Sequence, residues 1–125
     1  MVRLTVNRPA DVPPATPKGR LSKATLMNKT EARYALILEA RKRLGEIQDY
    51  AFGAVTLKLA TDTRYTPDFL VWRRGIGAIE FHEVKGGFMR EDALIKLRVA
   101  VKQYPMFRFT LCRFTKGAWY VEIVE

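Results

Sequence analysis

Two β-rich runs flank a basic, glycine-containing turn between residues 65 and 85, and this stretch restricts the fold more tightly than any other. The first run is Tyr65-Thr66-Pro67-Asp68-Phe69-Leu70-Val71-Trp72, the turn is Arg73-Arg74-Gly75-Ile76-Gly77, and the second run is Ala78-Ile79-Glu80-Phe81-His82-Glu83-Val84-Lys85. Apolar and β-branched content bounded by Gly and Pro predicts two strands joined as a hairpin. Side chains alternate faces along a strand, so Glu83 and Lys85 share one side while Val84 and His82 take the other. Antiparallel pairing brings Asp68, at the start of the first run, level with the far end of the second. Two carboxylates and an ammonium then meet on one patch, a pattern suited to a metal ion with a cationic helper. An ordinary strand ion pair between Glu83 and Lys85 is the alternative reading. His82 falls on the opposite face, which argues against it as a general base.

At 125 residues the chain has room for one hydrophobic core. Residues 1–27 hold Pro9, Pro13, Pro14 and Pro17 with few large apolar side chains; they read as a basic arm ahead of a single domain at 28–125. Val2, Leu4 and Val6 alternate with polar residues, which permits one short strand inside that arm. A helix is expected from Lys29 to Leu44, capped by Asn28 or Thr30 and ended by Gly45. Its stripe of Glu31, Tyr34, Ala35 and Leu38 faces the sheet. Glu31 is then either a first-turn cap for Asn28 or a further acid for the carboxylate patch. Glu39 lies off the stripe, one turn before Arg43.

Strands at 47–50 and 55–59, a turn at Thr61-Asp62-Thr63, a second helix from Arg90 to Tyr104, and strands at 107–114 and 119–124 complete the pattern. In the second helix Leu94, Leu97, Ala100 and Val101 form the buried stripe, and Lys96 either pairs with Asp92 or meets a phosphate. The lone Cys112 with a single histidine rules out a disulfide framework and the usual zinc-finger ligand sets, and leaves a packing thiol.

The net charge of +9 points to a polyanionic partner. Arg20, Lys23 and Lys29 in the leading segment, Arg73 and Arg74 in the turn, and Lys96 are the candidate DNA contacts. Residues 1–30 carry more than half of the excess charge. No stretch approaches the roughly 20 apolar residues of a membrane span, and the N-terminus has no apolar signal core, so a cytoplasmic protein is expected.

Pro67-Asp68 followed by Glu83-Val84-Lys85, with Glu31 on a preceding helix, resembles the signature of the PD-(D/E)XK nucleases. The wider run over about residues 28–111 resembles small phage endonucleases of the Holliday-junction-resolvase type. The resemblance implies an α/β, restriction-endonuclease-like core, a mixed and mainly antiparallel sheet flanked by helices. It implies a metal-dependent endodeoxyribonuclease acting on branched DNA, with Mg2+ (or Mn2+ in its place) held by Asp68, Glu83, the Val84 carbonyl and Glu31. Lys85 would act on the attacking water. Two symmetric incisions in a junction imply a homodimer, and a phage origin places it in the host cytoplasm. A nicking or restriction-like endonuclease on duplex DNA, and a non-catalytic basic DNA-binding module, are the alternatives.

Overall fold

A computed structural model describes residues 4–6, 26–75 and 78–125. In chain order the elements are β1 (Leu4–Val6), α1 (Lys29–Arg43), β2 (Ile47–Phe52), β3 (Val55–Ala60), β4 (Thr63–Tyr65), β5 (Phe69–Arg73), β6 (Ile79–Lys85), α2 (Glu91–Gln103), β7 (Arg108–Thr115) and β8 (Ala118–Val124). The class is α/β, as expected from the sequence, with a mixed and mostly antiparallel sheet flanked by helices. That sheet has five strands in the order β2-β5-β6-β7-β8. Only β6 and β7 run parallel, because the chain between them crosses over through α2 rather than turning back.

The described strands form two sheets where the sequence suggested one. A separate three-stranded antiparallel sheet, β1-β3-β4, packs beside α2. Its third strand comes from a misread turn: Thr61 and Asp62 form the turn, but Thr63 already opens β4. Pro67 then separates β4 from β5, since proline offers no N–H to a ladder. Tyr65 and Phe69 therefore lie on strands of different sheets, not on one continuous strand.

Strand alternation divides the core. On one face of the large sheet Tyr34 and Leu38 of α1 pack on Ile47, Phe69, Val71, Val84 and Cys112. On the other, Leu97, Ala100 and Tyr104 join the small sheet over Leu70, Phe81, Phe109 and Leu111. Each fully buried Phe or Leu here stabilises by roughly 1.5–3 kcal/mol. Cys112 is buried among these side chains as a packing thiol, and burial pushes it up to about 11. Leu94 and Val101 of α2 are only partly buried, so its inner stripe is narrower than the periodicity indicated.

The helix ends follow the sequence. Asn28 caps α1 and exchanges hydrogen bonds with Glu31 in a capping box. Gly45, at φ +78°, closes the other end, a backbone conformation that suits glycine. Glu39 and Arg43 pair at 3.1 Å. No helix among the described residues is long and apolar enough to cross a membrane.

Candidate active site

Asp68 sits one residue before β5. The pairing of Phe69 with His82 places it beside Glu83, as the hairpin reading required. At that point the β5 ladder has ended, and the Asp68 side chain takes its place: Oδ2 accepts the Val84 N–H at 2.8 Å. An extended residue directs its N–H and C=O to the same strand edge, so the Val84 carbonyl faces this side as well. Glu83 and Lys85 flank Val84 and point to the α2 face. Glu83 is buried. Its Oε1 accepts from the Tyr65 hydroxyl at 2.8 Å, and its Oε2 lies 3.3 Å from Lys85 Nζ.

The first turn of α1 closes the same end of the sheet. A β-carbon on Gly86 would stand 2.8 Å from Thr30 Oγ1; only glycine lets the helix approach the end of β6 this closely. Glu31 arrives with that turn. Its Oε1 accepts the Asn28 N–H at 2.8 Å, and its carboxyl also comes within hydrogen-bonding reach of Asp68. The capping and site readings of Glu31 thus share one side chain.

Charge accumulates here. Burial raises the Asp68 carboxyl well above the usual carboxylate range, the neighbouring Glu83 charge raises it further, and Glu31 adds to both; the Val84 N–H pulls the other way. Burial, followed by the Glu83 charge, pushes the Tyr65 phenol up as well. The site is a place where two or three negative groups are crowded together with one ammonium.

Sequence reading missed two members. Tyr65 fixes Glu83 from the other sheet, and nothing local announces a partner 18 residues away. Arg113 stands opposite Lys85 in the parallel register of β6 and β7, on the face that carries Glu83. Its Nε is buried and has no hydrogen-bond partner among the described residues. A signal for it existed: Arg113 continues the inward phase of Phe109 and Leu111, where a charged residue is out of place.

The expected basic residues scatter. Lys29 opens α1 next to Thr30, and Lys96 donates to the Arg64 carbonyl at 3.2 Å. The anticipated Lys96–Asp92 pair is replaced by Arg90–Asp92 at 3.3 Å. Arg73 and Arg74 lie at the far end of β5, about 17 Å along the strand from Asp68 at some 3.3 Å per residue. There Arg73 holds Glu80 at 2.9 Å and Arg74 packs near Gly45. Arg20 and Lys23 lie outside the described residues. His82, as expected, faces the other way, towards Tyr34.

Among the described residues no three His, Cys, Asp or Glu side chains stand in a metal-chelating arrangement. The carboxylate oxygens have protein partners instead: Tyr65 and Lys85 on Glu83, the Val84 N–H on Asp68 and the Asn28 N–H on Glu31. The donors are nonetheless hard oxygens gathered against their own repulsion, the chemistry that suits Mg2+. No protein-family model, curated protein or solved structure matches the chain.

Proposed function

We propose that the chain is a metal-dependent DNA endonuclease with a restriction-endonuclease-like core. One observation supports this above the rest: Asp68 is hydrogen-bonded to the backbone between Glu83 and Lys85, with Glu31 alongside. A plain strand ion pair would need neither Asp68 nor Glu31 there.

Asp68, Glu83, the Val84 carbonyl and Glu31 would hold Mg2+ or Mn2+, once Lys85 releases Glu83 Oε2. The ion would supply charge neutralisation and a more acidic bound water. Lys85, freed from Glu83, places its ammonium where negative charge grows on the phosphate and the attacking oxygen. Arg113 offers its unused Nε–H beside it, a donor suited to phosphate oxygens. Tyr65 keeps Glu83 in one rotamer throughout.

The +9 charge favours a nucleic-acid substrate. The resemblance to resolvase-type phage enzymes favours branched DNA cut by a homodimer. Incubating the protein with a labelled four-way junction and a matched linear duplex, with Mg2+ or with EDTA, tests this. Paired metal-dependent cuts in the junction alone are expected. Equal cutting of both would make it a general endonuclease; binding without cutting would leave a DNA-binding module. In the same assay Lys85→Ala should lower the cleavage rate by about 10²-fold or more while junction binding persists. A Lys85→Ala protein with full turnover ends the mechanism.

A further inference from the structure

A groove of about 300 Å3 opens on the opposite face of the large sheet, where α1 stops short of β7 and β8. It runs along the strands from Arg73, Glu80 and Arg108, at the other end of β6 from the carboxylates, to Trp119, which pairs with Phe114 near the end of β7, and it uses none of the carboxylate-site residues. Tyr34 and Trp119 line it with apolar surface, their ring centroids 5.1 Å apart. Its floor is polar and locked. Glu80 is held ionised, pulled down to about 2 by its hydrogen bond from His82 and then by Arg73. His82 Nε2–H therefore donates to Glu80 Oε1 at 2.9 Å. The Tyr34 hydroxyl and His82 Nδ1 are hydrogen-bonded at 2.6 Å.

The mouth carries the asymmetry. Arg73 and Arg108 both reach the same Glu80 oxygen, at 2.9 and 3.3 Å. One carboxylate thus offsets two guanidiniums, each with five N–H donors, of which one is bonded among the described residues. Their side chains remain 41% and 50% exposed. Surplus positive charge and spare planar donors beside an aromatic wall suit a ligand with a phosphate at one end and a flat ring at the other.

We propose that this groove binds an aromatic phosphate of the nucleoside-monophosphate class, its phosphate on Arg73 and Arg108 and its ring against Trp119 and Tyr34. The site stands independently of the nuclease reading. Its phosphate could come from a free nucleotide or from the 5′-phosphorylated end of a strand, and the chemistry is the same.

The test is calorimetric titration of the full chain with dAMP, deoxyadenosine and inorganic phosphate, with the two tryptophan indole N–H signals followed by NMR. dAMP should bind at least about tenfold more tightly than either fragment and shift Trp119, not Trp72, since both halves of the ligand contribute. Arg108→Ala and Trp119→Ala should each weaken it by about tenfold. Arg108→Gln, which keeps a donor for Glu80, serves if Arg108→Ala does not fold. Asp68→Asn should bind dAMP unchanged. Tight phosphate binding equal to dAMP, insensitivity to both Arg108 variants, or loss of binding in Asp68→Asn overturns the proposal. A 5′-phosphorylated oligonucleotide that displaces dAMP identifies a strand end as the source; failure to displace it identifies the free nucleotide.

Discussion

Asp68 is held in place by a hydrogen bond that wants an acceptor and is surrounded by charges that do not want an anion. Asp68→Asn separates the two demands, because an amide oxygen can still accept from Val84. The raised carboxyl contributes its full stability below the ordinary carboxylate range and loses it as pH rises towards the raised value. Asparagine does not titrate. The variant should therefore be more stable than the unsubstituted protein by at least about 1 kcal/mol at pH 8, with a smaller gain at pH 5, and should not cleave DNA. Thermal melts at the two pH values check this; a gain that shrinks from pH 5 to pH 8 defeats the electrostatic account. The placement of Asp68, Glu83 and Lys85 at one end of the hairpin was legible in the sequence, since strand alternation and antiparallel pairing decide which way each side chain leaves the backbone. Tyr65 was not, since its meaning depends on a neighbour 18 residues away; Arg113 showed only as a charge in an inward phase, and its neighbour Lys85 lies 28 residues away.

Two elements are joined at Gly86, where the first turn of α1 rests on the end of β6. Gly86→Ala should cost about 1–2 kcal/mol by overpacking against Thr30. Adding Thr30→Ala should return most of it. Chemical denaturation of the single and double variants measures the coupling, and an unchanged cost in the double variant would place the strain elsewhere. At the other end of the sheet Glu80 ties β5, β6 and β7 through Arg73, His82 and Arg108. Glu80→Gln takes the charge from a buried acceptor shared by His82 and two half-exposed guanidiniums and should cost about 1–2 kcal/mol at pH 7. The lowered carboxyl keeps its contribution above the ordinary carboxylate range and loses it as pH falls towards about 2. The gap between the two proteins should accordingly close in acid. A gap that persists at low pH would mean that shape, not charge, holds the three strands.

For the molecule as a whole, the proposed DNA binding by a chain of charge +9 predicts an affinity that falls with salt. Each neutralised phosphate adds about −0.9 to the slope of log K against log salt. Substituting Arg20 and Lys23 together by alanine should reduce that slope by about 2 if both meet phosphates; an unchanged slope would remove the leading segment from the interface. Sequence alone determined the α/β class, the capped ends of α1, a hairpin within residues 65–85 and the shared face on which Glu83 and Lys85 emerge. These depend on local rules: cap chemistry, turn residues and a period of two. Tertiary structure alone decided that a second sheet would form from β1, β3 and β4, and that Tyr65 on it would reach Glu83. It also turned Arg73 to Glu80 rather than towards the carboxylates. A strand's period states which side a residue faces. Which strand lies across from it is decided by the competition of all strands for one core, and that is not encoded in any short window of the chain.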